Sequence, residues 1–307
     1  MEVAMYDYAH YNETILGNES IIISQSIASS PLHQHPAGWA KFRKRFPVFA
    51  YDDFSDVESL LDSQEVDVLY TTKTGLRDGK VSTARRTVVH VVFQALEPHG
   101  DVYAYISEWL SEFASNKEYG FVPYMVTLPE NDRTYRETLK IPDDARVFGQ
   151  HGGANTFDLE FVHHTIYDVA KMRPDTFFLF LNTQKFCEDL PNIIHLPATS
   201  DPQEKTQFIN SCDAMIHARQ QGESFGLACG EFSIKNKPVI TFNGGVDQAH
   251  LHMLGDTGIY YEHRYDLLTI LNSFIPEPDK DWDVYSKRFS PTSVMGKFKS
   301  VFFDENR

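Results

Sequence analysis

Short apolar runs of strand length alternate with helical segments through most of this sequence, and no other feature constrains its fold as strongly. In the second half these runs are found at 146–149, Thr176–Leu181, Ile193–Leu196 and Ala214–His217. Strands connected in this way lie parallel in one sheet, with helices packed on both faces. The 307 residues are enough for two such α/β domains, each with its own core.

The first half shows the same alternation less regularly. The segment 123–146 is charged and punctuated by prolines, which is typical of a linker between domains. The sequence therefore predicts one domain at 1–138, a second at 139–280 and a terminal helical segment at 281–307. In the first half we expect strands at 3–8, 46–51, 66–71, 87–93 and 102–106, and helices at 17–29, 56–63 and 107–113.

Composition limits the kinds of binding partner and the cellular compartment that we expect for this protein. A net charge of −15 disfavours a nucleic-acid partner. The basic cluster at 41–45 is interpreted as a solvated helix end, with contact to an anionic acceptor or membrane surface as the alternative. Cys187, Cys212 and Cys229 are odd in number and widely spaced, which indicates reduced thiols in the cytoplasm. The polar N-terminus and the absence of an apolar run of membrane-spanning length predict neither a signal peptide nor a transmembrane segment.

The stretch 221–242 carries the clearest indication of chemistry. It is predicted to form a loop, a helix and a short buried strand, with Glu223 in the loop and Glu231 on the helix. Eight positions separate the two carboxylates, which corresponds to about 12 Å along a helix. This is about the distance from the sugar ring to the ribose in a nucleotide sugar, so each carboxylate can accept hydrogen bonds from hydroxyls at one end.

A helix start between the two glutamates suits a diphosphate, since its first backbone N–H groups have no partner within the helix. Gly226 and Gly230 leave room for a ligand to approach the backbone. The residues expected at this helix start are Ser224, Phe225, Gly226 and Leu227.

The nine residues ESFGLACGE at 223–231 resemble the signature of group 1, or family 4, retaining glycosyltransferases. The resemblance implies the GT-B fold, in which two Rossmann-like domains face each other across a cleft and a C-terminal helix crosses back to the first. It also implies metal-independent transfer, without a cofactor, from a UDP- or GDP-linked sugar to a hydroxyl of a glycan, lipid or protein-linked saccharide, as in polysaccharide biosynthesis. Glu223 would then position the sugar and Glu231 the ribose.

A second loop, at 149–158, falls where this family places its glycine-rich diphosphate loop. The family has an arginine and a lysine there, whereas this sequence has Gln150 and His151 and no lysine before Lys171. Arg219 is a candidate replacement, and a surface salt bridge is the other interpretation of that side chain. The donor-binding candidates in the loop itself are Gly152, Gly153, Asn155 and Thr156.

On the acceptor side, His99 and Asp101 are catalytic candidates because they lie in a polar loop between two predicted parallel strands. A plain tight turn explains the same residues. His90 lies within an apolar strand and is interpreted as a core histidine.

Two other functions fit the same sequence. A sugar-nucleotide epimerase shares the fold and would use His151, His99 or Asp101 as acid and base. A nucleotide-sugar-binding protein that has lost catalysis would explain why the loop lacks its arginine and lysine.

Overall fold

The structure, a computed structural model, describes residues 2–28 and 36–304. The chain divides into two compact units, Met1–Met125 with Pro291–Arg307, and Val126–Ser290. In the described residues no helix is both long enough and apolar enough to span a membrane.

The first unit contains two small parallel sheets. Strands β1 and β2 pair with each other, and β3, β4 and β5 form a separate three-stranded sheet in that order. The elements are α1 (Glu2–Thr14), β1 (Ile22–Gln25), α2 (Pro36–Arg43), β2 (Val48–Tyr51), α3 (Val57–Ser63), β3 (Val68–Lys73), β4 (Arg86–Val91), β5 (Val102–Tyr105) and α4 (Glu108–Ser115).

The predictions for the first thirty residues are wrong. Residues 3–8 belong to helix α1, and the predicted helix at 17–29 contains strand β1 instead; Ser29 lies outside the described residues. Helix α1 buries Ala4 and Tyr8, which lie four positions apart and therefore share one helical face. The run of isoleucines at 21–23 is β-branched and favours a strand.

The second unit is built on a six-stranded parallel sheet with the order β13-β11-β9-β6-β7-β8. Its core is a continuous cluster of buried apolar side chains from the strands and from α5 and α9. The elements are β6 (Arg146–His151), α5 (Glu160–Met172), β7 (Thr176–Leu181), β8 (Ile193–Leu196), α6 (Pro202–Asn210), β9 (Ala214–His217), β10 (Gly222–Glu223), α7 (Leu227–Ser233), β11 (Val239–Phe242), β12 (Asp247–Gln248), α8 (Ala249–Leu254), β13 (Ile259–Tyr261) and α9 (Arg264–Ser273).

The last helix, α10 (Pro291–Phe302), belongs to the first unit. The ring of Phe298 lies 5.2 Å from that of Tyr8, and the ring of Phe302 lies 5.2 Å from that of His90. His90 is fully buried, and both ring nitrogens have partners, Tyr70 Oη at 2.6 Å and the Val122 carbonyl at 2.8 Å. The interpretation of His90 as a core histidine is therefore confirmed.

Candidate functional site

The strand order of the large sheet reverses between β6 and β9, because the chain continues from β6 to β7 on one side and reaches β9 later on the other. Ligands of open α/β sheets bind at the carboxyl ends of the strands next to such a reversal. Here β6 ends at His151 and β9 ends at His217. The loops that follow these two strands therefore lie at the edge where a ligand site is expected.

Glu223, which forms β10 with Gly222, is held by two basic side chains at this edge. The Nη1 of Arg219 donates to Glu223 Oε2 at 2.9 Å, and His217 Nε2 lies 3.3 Å from Oε1. Burial alone would raise the pKa of Glu223, but His217 and Arg219 lower it to about 2. Glu223 is thus a fixed, ionised hydrogen-bond acceptor. The salt bridge that was the other interpretation of Arg219 is therefore present. Its partner is Glu223, the predicted catalytic carboxylate.

A chain of buried polar groups continues behind His217. Its Nδ1 lies 2.8 Å from Thr241 Oγ1 on β11, and the same hydroxyl lies 3.2 Å from His250 Nε2 on α8. Both Thr241 and His250 are fully buried. Burial and the neighbouring His217 lower the pKa of His250 to about 3, so its ring is neutral at pH 7. This series of hydrogen-bonded polar groups fixes the ring of His217 and, through it, the carboxylate of Glu223.

Glu231 lies on α7 and is only 3% exposed. Lys205 Nζ contacts its Oε1, and His151 Nε2 lies 3.1 Å from its Oε2. Burial opposes ionisation, yet Lys205 and His151 lower the pKa of Glu231 to about 2. Oε1 of Glu231 is therefore paired with Lys205, and Oε2 faces His151 Nε2, which makes no hydrogen bond with the described residues.

The loop after β6 turns its carbonyls inward. Asn182 Nδ2 donates to Gly152 O at 2.7 Å, Thr156 Oγ1 to Gly153 O at 2.8 Å, and the Gln184 N–H to Ala154 O at 3.0 Å. No acceptor in the described part of the chain reaches the N–H groups of residues 153–155, and these residues are exposed. Consecutive free amides of this kind suit an anion.

Gln150 lies under this loop and is 2% exposed. Its Oε1 is buried without a hydrogen-bond partner among the described residues, and its Nε2 lies 3.3 Å from the position that a Cβ on Gly152 would occupy. A buried amide without a partner is costly. A ligand group that enters the loop is one way of satisfying it.

The helix between the two glutamates begins at a different place from the one predicted. Helix α7 begins at Leu227, with Gly226 as its N-cap residue at φ +85°, a left-handed conformation that favours glycine. A Cβ on Gly226 would lie 2.7 Å from the Cβ of His250. Phe225 is buried against the rings of Tyr285 and Phe289. Ser224 and Phe225 therefore belong to the preceding loop, and Glu231 is only the fifth residue of the helix.

His99 and Asp101 belong to the first unit, and local contacts engage both. His99 Nδ1 lies 2.7 Å from Glu97 O, and its Nε2 lies 3.3 Å from Lys73 Nζ. The carboxylate of Asp101 accepts a hydrogen bond of 2.6 Å from the backbone N–H of Thr87, at the amino ends of β4 and β5. Asp101 therefore caps the start of two strands, at the edge opposite their carboxyl ends.

Sequence reasoning missed four residues of this site: Lys205, His217, Thr241 and His250. Lys205 precedes Glu231 by 26 positions on a different element, and no local pattern connects the two. His217 was visible as a polar residue that ends an apolar strand six positions before Glu223. In the described residues no group of three histidine, cysteine or acidic side chains is arranged to hold a metal ion.

No protein-family model and no curated protein matches this sequence. Solved structures are nevertheless similar in fold. Anabaena Alr3699/HepE in complex with UDP-glucose is 13% identical, with 97% of this chain and 94% of that chain covered and a TM-score of 0.71. A glycosyltransferase from Rickettsia africae ESF-5 is 14% identical, with 99% and 95% covered and a TM-score of 0.67.

AviGT4, a glycosyltransferase involved in avilamycin A biosynthesis, is 11% identical, with 97% of this chain and 86% of that chain covered and a TM-score of 0.60. The three likenesses extend over nearly the whole chain at low identity. They confirm the predicted fold class: the chain has the α/β fold of GT-B glycosyltransferases.

Proposed function

We propose that the chain is a glycosyltransferase that takes a sugar from a nucleoside diphosphate sugar. The observation that carries this proposal is the arrangement around the strand-order reversal of the second unit. There His151, which immediately precedes the loop with the free backbone amides, faces the ion-paired Glu231. The second ion-paired glutamate, Glu223, contacts His217 at the end of the neighbouring strand β9. The complex of Alr3699/HepE with UDP-glucose, in a similar fold, supports a nucleotide sugar as the ligand.

In the proposed reaction, the bond between the anomeric carbon and the diphosphate oxygen breaks and a bond to the acceptor oxygen forms. The acceptor hydroxyl gives its proton to the departing diphosphate. The amides of residues 153–155 stabilise the charge that develops on that leaving group. Glu223, held ionised by His217 and Arg219, accepts hydrogen bonds from the sugar hydroxyls and orients the ring.

The finer features follow from the resemblance of 223–231 to the group 1 signature. They are retention of configuration, independence from a metal ion, and a saccharide or lipid-linked hydroxyl as acceptor. Their support is the motif, and each needs its own product analysis.

The test is a thermal-shift screen of the chain against UDP, GDP, ADP, CMP and their common sugar conjugates without metal. At one hundred times Kd a ligand adds about 2.7 kcal/mol to the stability of the protein. Asn155→Asp places a negative charge in the exposed loop and is expected to raise the diphosphate Kd at least about tenfold, about 1.4 kcal/mol. Asn272→Asp makes the same change at the end of α9, near the amino end of β6, and is expected to leave Kd unchanged.

A shift for one diphosphate, reduced by Asn155→Asp and not by Asn272→Asp, would support the donor site and identify the nucleotide. Equal shifts in all three proteins would remove the loop from the site. No shift for any ligand with the wild-type chain would contradict the proposed function.

A protein that binds nucleotide sugars without turning them over is the second candidate. The observation in its favour is that Glu223 and Glu231 are both occupied by basic side chains of the chain itself. A selective shift with neither transfer nor hydrolysis of the bound nucleotide sugar, across a panel of acceptors, would favour this candidate.

A further inference from the structure

Lys205 is the more accessible partner in the pair that it forms with Glu231. Its side chain is 19% exposed, whereas that of Glu231 is 4% exposed. Lys205 lies in the first turn of α6, after β8, and so at the carboxyl edge of the large sheet. His151, the other partner of Glu231, immediately precedes the loop with the free amides. The ammonium group therefore lies beside the site proposed for the diphosphate.

The loop itself provides no positive charge. Between Gln150 and Asp158 the only ionisable side chain besides Asp158 is that of His151, which faces Glu231. Arg219 is engaged by Glu223 Oε2 at 2.9 Å. A cation strengthens the binding of a diphosphate, and Lys205 Nζ contacts Oε1 of Glu231, whose Oε2 faces His151 at the start of the loop.

We propose that Lys205, and not Glu231, is the side chain that meets the nucleotide: Lys205 binds the phosphates, and Glu231 is a positioning residue that orients it. This inference rests on the proposed function and specifies the chemistry of its donor site. It departs from the role that the motif implies for the second glutamate, a direct contact with the ribose.

The energetics favour this assignment. The carboxylate of Glu231 keeps free lone pairs, but its side chain is only 4% exposed, and opening its buried ion pair with Lys205 to admit ribose hydroxyls is strongly unfavourable. Lys205 has three N–H donors and uses one on Glu231 Oε1. Binding through Lys205 therefore keeps the buried pair intact and adds a phosphate to the free donors of the ammonium group.

The test compares UDP with uridine, by calorimetry for tight binding and ligand-observed NMR for weak binding, or GDP with guanosine if the screen selects GDP. Lys205→Met is expected to weaken diphosphate binding at least about tenfold and to leave nucleoside binding within about twofold. Lys205→Arg keeps the charge and the pair, and is expected to restore most of the lost affinity. Lys171→Met, the same substitution in the last turn of α5, is the matched control and is expected to change neither ligand.

Glu231→Gln separates the two roles. A positioning role predicts that Glu231→Gln weakens the diphosphate more than the nucleoside, and that Lys205→Met/Glu231→Gln is no weaker than Lys205→Met alone. If Glu231→Gln weakens the nucleoside and the diphosphate by the same factor, and the two substitutions add, then Glu231 contacts the ribose and the inference is overturned. Equal loss of both ligands in Lys205→Met overturns it as well.

Inorganic pyrophosphate distinguishes this inference from the proposed function. If the wild-type chain binds pyrophosphate but no nucleotide, and Lys205→Met removes that binding, Lys205 is a phosphate-binding residue and the proposed nucleotide-sugar function fails. A wild-type chain that binds neither overturns both. Thermal unfolding of each variant confirms folding. If Lys205→Met does not fold, Lys205→Met/Glu231→Gln, which leaves no unpaired buried charge, decides the outcome: a selective loss of diphosphate binding supports the inference, and equal losses of both ligands contradict it.

Discussion

Glu223 shows how single residues define this site. One oxygen of its carboxylate faces His217 and the other accepts from Arg219, so the group is ionised and its orientation is fixed before a ligand arrives. A preorganised acceptor of this kind discriminates by geometry, because ligand hydroxyls must come to it. The buried Thr241 and His250 extend this order into the core of the second unit.

Glu223→Gln keeps the size of the side chain and removes its charge. Hydrogen bonds to a charged group contribute about 1.5–3 kcal/mol, so kcat/KM for the nucleotide sugar is expected to fall at least about tenfold. UDP lacks the sugar, and its Kd is expected to change by less than about twofold. Steady-state transfer assays and calorimetry measure the two quantities. Glu262→Gln, an exposed glutamate of the same unit, is the control, and an equal loss for UDP would place Glu223 at the nucleotide instead.

Local spacing explains which site residues the sequence revealed. Glu223, Arg219 and the loop at 152–156 lie within short segments where a polar or glycine residue follows a predicted strand. Lys205 meets Glu231 only through the tertiary fold, since the two residues lie on different helices and are 26 positions apart. No single-sequence pattern contains that contact. The same distance in sequence concealed that Glu231 is already paired with Lys205.

At the scale of elements, α7 depends on the segment that packs against it. The Ser233 hydroxyl donates to Trp282 O at 2.9 Å, and it accepts from the Val284 N–H at 3.1 Å. Gly230 faces the ring of Tyr285, and a Cβ there would lie 2.7 Å from Cδ1 and 2.9 Å from Cε1. Residues 282–285 thus hold the helix that carries Glu231.

Gly230→Ala tests this contact. Overpacking of a filled interior costs about 1–3 kcal/mol, so the melting temperature of the second unit is expected to fall. Gly296→Ala is the matched control, since Gly296 is also inside a helix but a Cβ there meets nothing within 4 Å. That substitution is expected to stabilise the first unit by about 0.5–1 kcal/mol. Calorimetry of both variants decides the matter, and a stabilised Gly230→Ala protein would contradict the packing argument.

The central strands of the second unit, β6, β7 and β9, were predicted well because they are buried on both faces and bounded by polar residues. Strands β7, β8 and β9 were predicted with the ends observed. Helix α1 was missed because its apolar residues are few. The positions between its two buried residues, Ala4 and Tyr8, also alternate between polar and aromatic, as they would in a strand. The contacts of Tyr8, with Pro123 O and the ring of Phe298, are formed with segments far along the chain. Local pattern alone therefore leaves a strand and a helix equally compatible with these residues.

Over the whole molecule, each unit has a fully buried histidine that is neutral. In the first unit the Val122 carbonyl can only accept, so His90 Nε2 carries the proton and Nδ1 accepts from Tyr70. Burial lowers the pKa of His90 to about 4, and that of His250 in the second unit to about 3. Each unit therefore has a buried group whose protonation favours unfolding.

Both units are accordingly expected to lose stability as the pH falls from 7 to 5. Because the pKa of His90 is lower in the folded chain than the ordinary value of 6.5, its stabilisation is complete above pH 6.5 and is lost as the pH falls towards 4. The slope approaches about 1.4 kcal/mol per pH unit, or about 2 kcal/mol by pH 5. Glu223 and Glu231, with pKa values of about 2, contribute stability that is lost only below about pH 4.5, outside this interval.

Hydrogen exchange of slow amides in β4 reports on the first unit, and that of amides in β9 and β11 reports on the second. His90→Gln provides one donor and one acceptor in place of the ring but does not titrate. It is expected to abolish the pH-dependent loss of protection in β4 while leaving that in β9 and β11 unchanged, so the second unit serves as the internal control. An unaltered loss in β4 would mean that His90 is not the group responsible. A simultaneous change in both sets of amides would mean that the two units unfold as one.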